Sequence, residues 1–303
     1  MAITRVTQNM MMERSLGSLQ SGLSRLAKTQ EQLSTGRVLN RPSDSPTDTT
    51  SAMRLRSSLT DQAQFKRNAE DGLGWLGQAD STLTSSLDQV RRARNLALEG
   101  ANATNTGPTA REALAAEVDQ LRESLIQSAN TTYLGRPIFG GNSAGDTAYT
   151  FDAVDPGVPV TFTGQAGQVK RTVSDGVEVQ VNVNGPDVFG PAGATLFEDL
   201  AALSTALRSG DANGIRAGIT ALDTGMQRIT NTLAEVGTKT NRIETSLSKI
   251  EDATLSMTSS LTAIENVDLP RAMIDLQMNE VAYQAALAGT ARVMQPSLLD
   301  FLR

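Results

Sequence analysis

From Ile215 to Ile264 a single heptad phase runs unbroken. Every seventh residue is apolar: Ile215, Leu222, Ile229, Val236, Ile243, Ile250, Met257 and Ile264. A second series, Ile219, Met226, Leu233, Thr240, Leu247, Thr254 and Leu261, is apolar apart from its threonines. No proline falls between Pro191 and Pro270. A helix of this length extends ~75 Å at about 1.5 Å per residue. A stripe of period 3.5 buries itself against another helix, not against a sheet. The spacing therefore predicts a long helical rod with the first series as its core, and it requires partner helices elsewhere in the chain.

The N-terminal end supplies one candidate. Met12, Leu16, Leu19, Leu23, Leu26, Gln30 and Leu33 follow alternating steps of four and three, and Gly36 and the prolines 42 and 46 close the segment. Further stripes run through Leu76, Leu83, Leu87 and Val90, through Leu114, Val118, Leu121 and Leu125, and through Leu196, Leu200, Leu203 and Leu207. The middle is different in kind. Seven of the eleven aromatics and five of the ten prolines lie between Tyr133 and Phe197. That shift places a small β-rich insert there. Val177 to Val183 alternates strictly, as a half-buried strand does, after a Ser174-Asp175-Gly176 turn. Short strands are also expected at 149–151, 158–162 and 169–173. The fold class expected is mainly α with a small β insert. It divides into a terminal coiled-coil part (1–45 with 265–303), a helical rod (46–141 with 195–264) and an insert at 142–194. The glycines and prolines flanking that insert suggest that it is separable from the helices.

After Pro270 the apolar residues do not keep to one stripe. Ile274, Met278, Val281, Ala285 and Ala288 form one face, and Leu276, Tyr283, Leu287, Met294 and Leu298 another. A helix apolar on two sides needs cover on two sides, and neighbouring copies of the chain would provide it. The residues expected to carry assembly are Leu16, Leu19, Leu23, Leu26 and Leu33 at one end and Met278, Val281, Leu287, Leu298, Leu299, Phe301 and Leu302 at the other. The first 60 residues hold eight basic and four acidic side chains, and residues 265–303 hold three basic and five acidic. Opposite signs favour pairing of the ends, although each exposed contact contributes only ~0–1 kcal/mol.

Composition excludes several classes of function. A net charge of −6 and a pI near 4.9 argue against nucleic acid as partner. No apolar run approaches the ~20 residues of a membrane helix, and residues 1–20 lack the apolar core of a cleavable secretion signal. With neither cysteine nor histidine, the chain has no disulfides or thiol chemistry, no Ser–His triad, no Cys-ligated zinc and none of the histidine ligands that most transition-metal sites use. No cofactor is expected and no enzymatic constellation is visible. Gly72-Leu73-Gly74-Trp75-Leu76-Gly77 matches G-x-G-x-x-G, but a polar helical stretch precedes it where a dinucleotide site needs a strand. Close helix packing is the plainer reading of these glycines. Asn102 and Asn130 open sequons that carry little meaning without a secretion signal, and Met10-Met11-Met12 reads as packing material.

Three segments carry a resemblance. Leu33-Ser-Thr-Gly-Arg-Val-Leu-Asn-Arg-Pro-Ser-Asp-Ser-Pro46 resembles the signature near the N-terminus of the flagellin superfamily. Arg67-Asn-Ala-Glu-Asp-Gly-Leu73 is similar to its RNxxDG stretch, and Ser297 to Arg303 resembles its leucine-rich tail. Asn130 to Gly141 and Asn184 to Gly190 are similar to segments of the superfamily's hook-associated members, although Pro137 stands where those carry an aromatic. The resemblance implies a structural part of the bacterial flagellum, an adaptor between hook and filament. It implies export unfolded through the flagellar type III channel and an extracellular location. It implies as partners copies of itself in a ring, a neighbouring hook-associated protein, flagellin and a cytoplasmic export chaperone, with no nucleic acid and no membrane insertion. A short filament-forming flagellin is the alternative within the class, and a secreted coiled-coil effector or translocator the alternative outside it.

Overall fold

A computed structural model of the chain describes residues 2–102, 107–143, 145–151 and 159–293. Seven α-helices and six short strands follow one another in these segments: α1 (Ala2–Thr35), α2 (Pro46–Asn102), α3 (Pro108–Ala129), β1 (Thr132–Tyr133), β2 (Arg136–Pro137), β3 (Tyr149–Thr150), β4 (Thr161–Phe162), β5 (Lys170–Ser174), β6 (Val177–Gln180), α4 (Gly185–Phe189), α5 (Leu196–Ser209), α6 (Ala212–Glu265) and α7 (Leu269–Val293). The strands pair only as antiparallel hairpins, β1–β2, β3–β4 and β5–β6. The fold is mainly helical with small β hairpins, as the periodicities require. Local chemistry sets the helix ends. Pro108 opens α3 where its missing N–H is harmless. Thr195 and Glu198 form a reciprocal capping box at the start of α5, and Gly210 closes it in the left-handed conformation. The chain forms two compact units, residues 61–253 and residues 1–60 with 254–303.

In the unit 61–253, α2, α3, α5 and α6 surround one core. Leu76, Leu83, Val90 and Ala97 of α2 are fully buried, with Ala79, Ser86 and Ala93 as the intervening small positions. α3 runs antiparallel to α5: Arg208 pairs with Glu112 at 3.1 Å and Asp119 at 2.6 Å, while the Arg122 Nε donates to the Phe197 carbonyl at 3.1 Å. α6 runs antiparallel to α2, with ion pairs Arg94–Asp223 (2.5 Å) and Lys66–Glu251 (3.2 Å).

Ile215, Leu222, Ile229, Val236, Ile243 and Ile250 lie buried along α6. The burying face is wider than a two-row stripe. Gly218, Gly225 and Thr232 are buried beside that series, while Ile219, Met226 and Leu233 are only partly covered. The reason is a second neighbour. Leu203 and Leu196 of α5 press onto Gly218 and Gly225; a Cβ would collide with Leu196 at Gly225 and be tight against Leu203 at Gly218. Met257 and Ile264 are half-buried, short of the core positions assigned to them from the spacing. The α2 segment 46–60 has Ala52 as its one fully buried residue, so it offers no large side chains to cover them.

The insert has no core of its own. Val173, Val179, Val181 and Val183 belong to the same apolar cluster as Leu76 and Ile243. Phe139, Tyr149, Phe162, Phe189 and Phe197 form an aromatic group with ring centroids 5.2–5.8 Å apart, and Phe197 lies on α5. The insert and the helices therefore share one interior, which is the physical argument against separability. Burial, and after it the charge of Asp187, pushes the Tyr149 phenol far above its ordinary value.

Candidate assembly interface

Within the other unit, α1 and α7 pair antiparallel. Ser15, Leu19, Gly22, Leu26, Thr29 and Leu33 turn toward Ala272, Leu276, Asn279, Tyr283, Ala286 and Thr290, each set in steps of four and three. Tyr283 Cδ2 lies 3.4 Å from where a Cβ on Gly22 would sit, and the Asn279 amide donates to the Thr29 hydroxyl at 3.3 Å. The Tyr283 ring needs a notch, and Gly22 provides one. That choice shifts the seam by one residue from the apolar series expected for α1. Leu19, Leu26 and Leu33 stay in it, half-buried, while Met12, Leu16 and Leu23 are left exposed.

The second face of α7 is exposed as well. Met278 is 62% exposed and Val281 66%, with Ile274 alongside, while Leu287, 44% exposed, flanks the seam one turn from Tyr283. Ile274, Met278, Val281, Ala282 and Ala285 line a shallow apolar depression. Leu298, Leu299, Phe301 and Leu302 lie outside the described residues.

A clasp closes the linkers of this pair. The Val38 N–H donates to the Glu265 carbonyl at 2.8 Å and the Val267 N–H to the Gly36 carbonyl at 3.0 Å. Gly36 adopts φ 69°, a left-handed conformation that glycine accepts without penalty. The Glu265 side chain is buried and meets Arg56 at 2.7 Å. Asp44 accepts from the Asn40 and Arg41 N–H groups and pairs with Lys28 at 2.9 Å. Lys28 first, then the Arg41 N–H, holds the Asp44 carboxyl below its usual range. The signature around Leu33 to Pro46 thus encodes a turn and its fastening.

The remaining motifs also have geometric roles. Asn68 donates to the Thr172 carbonyl at 2.9 Å and Asp71 pairs with Arg171 at 2.7 Å, so the RNxxDG residues of α2 hold β5. Gly72 lies under Val181 and Ile243, and Gly74 under the Tyr133 hydroxyl, inside an uninterrupted helix. The side chain of Asn130 accepts from the Ala148 and Tyr149 N–H groups and donates to the Tyr149 carbonyl, so this sequon asparagine is a structural bracket. The two segments with hook-associated character meet. The Gly185 N–H donates to the Phe139 carbonyl at 2.8 Å, Gly140 bridges Asn184, and Phe139 packs edge-on to Phe189 at 5.3 Å. Sequence reasoning missed α4 and the β1–β2 hairpin; the Leu134-Gly135 pair between Tyr133 and Arg136 was the available signal for the latter. Among the described residues no group of three or more acidic, His or Cys side chains could hold a metal, and no helix is long and apolar enough to cross a membrane.

The bacterial flagellin N-terminal helical region matches residues 6–144, and the bacterial flagellin C-terminal helical region matches residues 219–302. The chain belongs to the flagellin family. It is a structural, axial protein of the bacterial flagellum and not an enzyme. Flagellin of Bacillus subtilis is 22% identical over 99% of this chain and 100% of its own. Flagellin of Clostridium tyrobutyricum is 26% identical over 63% of this chain, which spans only about half (51%) of that relative's length. Among solved structures, Bacillus cereus FlgL is 25% identical with a TM-score of 0.59, covering 69% of this chain and 99% of its own. The flagellar junction protein FlgL from Legionella pneumophila shares the fold at 12% identity, with a TM-score of 0.60 over 72% of this chain and 100% of its own.

Proposed function

We propose that the chain is the adaptor joining the flagellar hook to the flagellin filament. The observation that carries this reading is the fit to Bacillus cereus FlgL along 99% of that protein. The union of the 136–141 and 184–190 segments around Phe139 and Phe189 supports it. In this reading, copies of the chain form a ring between a hook-side axial protein and flagellin. The exposed faces of α1 (Leu16, Leu23) and α7 (Met278, Val281, Leu287), continued by the tail Leu298, Leu299, Phe301 and Leu302, become buried between neighbours. Each well-covered Leu, Met or Val there contributes ~1.5–3 kcal/mol. A cytoplasmic chaperone covers the same faces before export, because an apolar surface of this size invites premature association.

A second reading is favoured by one specific observation. The end-to-end alignment with Bacillus subtilis flagellin suits a short filament subunit. Deleting the gene and imaging the cells separates the two. Bare hooks with intact flagellin shed to the medium mark the adaptor. Loss of filaments with no flagellin left in the medium marks the filament subunit.

A further inference from the structure

Between α2, the β5–β6 turn and α6 lies an open cleft of about 620 Å³, all of it within the unit 61–253. One face of α6 forms its floor. Arg242, Thr245, Ser246 and Lys249 stand three and four residues apart, which sets them side by side on the helix. Gln62 of α2 and Ser174 at the end of β5 form the walls. Both are half-buried, and neither side chain hydrogen-bonds to another described residue.

The charge of this cleft is out of keeping with the chain. The net charge of the whole is −6, yet two cations and no carboxylate line the cleft. Cations on the surrounding elements are taken: Lys66 pairs with Glu251 at 3.2 Å, Lys170 with Glu178 at 3.4 Å and Arg171 with Asp71 at 2.7 Å. Arg242 and Lys249 are exposed and make no ion pair with any described residue. Two turns of helix hold them roughly 10 Å apart along the axis, so they do not converge on one phosphate or one carboxylate as a single-anion site requires. They suit a ligand whose negative charges are themselves spaced out.

The residues between them say what lies between those charges. The Thr245 hydroxyl donates to the Asn241 carbonyl at 2.8 Å and the Ser246 hydroxyl to the Arg242 carbonyl at 2.9 Å, which leaves both oxygens free to accept. Gln62 and Ser174 offer donors and acceptors opposite. Hydroxyl groups on the ligand satisfy such a lining. No aromatic side chain lines the cleft, so it lacks the stacking platform that single-stranded nucleic acid uses.

We propose that this cleft binds a segment of acidic polysaccharide, with Arg242 and Lys249 pairing to uronate carboxylates on alternate residues and the side chains between them hydrogen-bonding the sugar hydroxyls. An extended 1,4-linked uronate chain spaces alternate carboxylates about as far apart as the two cations. The family's extracellular place gives access to such polymers, and the inference holds for an adaptor and for a filament subunit alike.

The test is calorimetric titration of the purified full chain at low salt with tetragalacturonate. Arg242→Gln and Lys249→Gln should each weaken binding by about tenfold, the effect of one lost charge-assisted hydrogen bond. Arg216→Gln, at an exposed position of the same helix outside the cleft, should leave it unchanged. All three variants should melt with the parent, since no packed side chain is touched. No binding of tetragalacturonate, or equal losses in all three variants, overturns the proposal. Equal affinity for an oligoglutamate of the same charge shows that charge alone is read and overturns the assignment to a sugar. Equal affinity for a neutral malto-oligosaccharide of the same length overturns the role of the two cations.

Discussion

Gly74 and Gly77 lie three residues apart on the same side of α2, and alanine should be tolerated very differently at the two positions. In a helix interior Ala is favoured over Gly by about 1 kcal/mol. That gain is common to both substitutions. At Gly77 nothing lies within 4 Å of the added methyl, so Gly77→Ala should stabilise the protein by about 0.5–1 kcal/mol. At Gly74 the methyl would overlap the Tyr133 hydroxyl. The ring cannot simply swing away, because it is packed edge-on to Trp75 and belongs to a hairpin whose Pro137 is buried. Overpacking of this kind costs about 1–3 kcal/mol, and loss of the aromatic contact accounts for ~0.5–1.5 kcal/mol of it. Gly74→Ala should therefore be neutral to destabilising by about 2 kcal/mol. The difference between the variants, in which the propensity gain cancels, should be about 1–3 kcal/mol. The assay is urea unfolding of the full chain followed by helix signal, with Tyr133→Phe in the Gly74→Ala background as the check. Removing the hydroxyl should recover most of the loss. If both alanine variants shift the midpoint equally and in the same direction, the close-packing account of these glycines is refuted.

Ile243 is fully buried beside Gly72, so Ile243→Asp should lose ~1.5–3 kcal/mol of burial and add the desolvation of a carboxylate. Glu244→Ala, on the exposed side of α6, should stay within about 0.5 kcal/mol, and equal melting of the two would remove Ile243 from the core. Arg56→Ala should strand the Glu265 carboxylate, which is 7% exposed. With Arg56 half in solvent the loss should be about 1–2 kcal/mol, below that of a fully buried pair. It should appear as faster amide exchange at Val38 and Val267, and unchanged exchange there would show that the ion pair does not hold the clasp. Replacing residues 142–194 by a short Gly linker should lower the melting temperature and reduce helix signal cooperatively, because Val173, Val179, Val181 and Phe189 leave the shared core. A parent-like melt would show that the helices are self-sufficient.

Much of the fold is legible in the chain by itself. The 215–264 heptad dictates a long α6, because period 3.5 over seven heptads has no other regular solution. Gly36, Pro46 and Pro108 mark the end of α1 and the starts of α2 and α3, and the Val177 to Val183 alternation marks β6, although the strand itself stops at Gln180. The two-sided apolarity after Pro270 says that α7 needs more cover than one helix gives, and α1 covers only one of its faces. Tertiary structure decided which of several compatible rows faces what. Periodicity cannot choose between Gly218 and Ile219 as the buried neighbour of Ile215 and Leu222; α5, arriving over the glycines, makes that choice. Nor can it choose between Leu23 and Gly22, because the deciding side chain, Tyr283, is more than 250 residues distant in sequence. The same holds for Gly72 and Gly74, which look like a nucleotide motif until Val181 and Tyr133 are placed over them. A one-dimensional pattern records which faces of a helix are apolar. Which neighbour fills each face, and where a small residue must make room for it, depends on side-chain volumes brought together from distant parts of the chain.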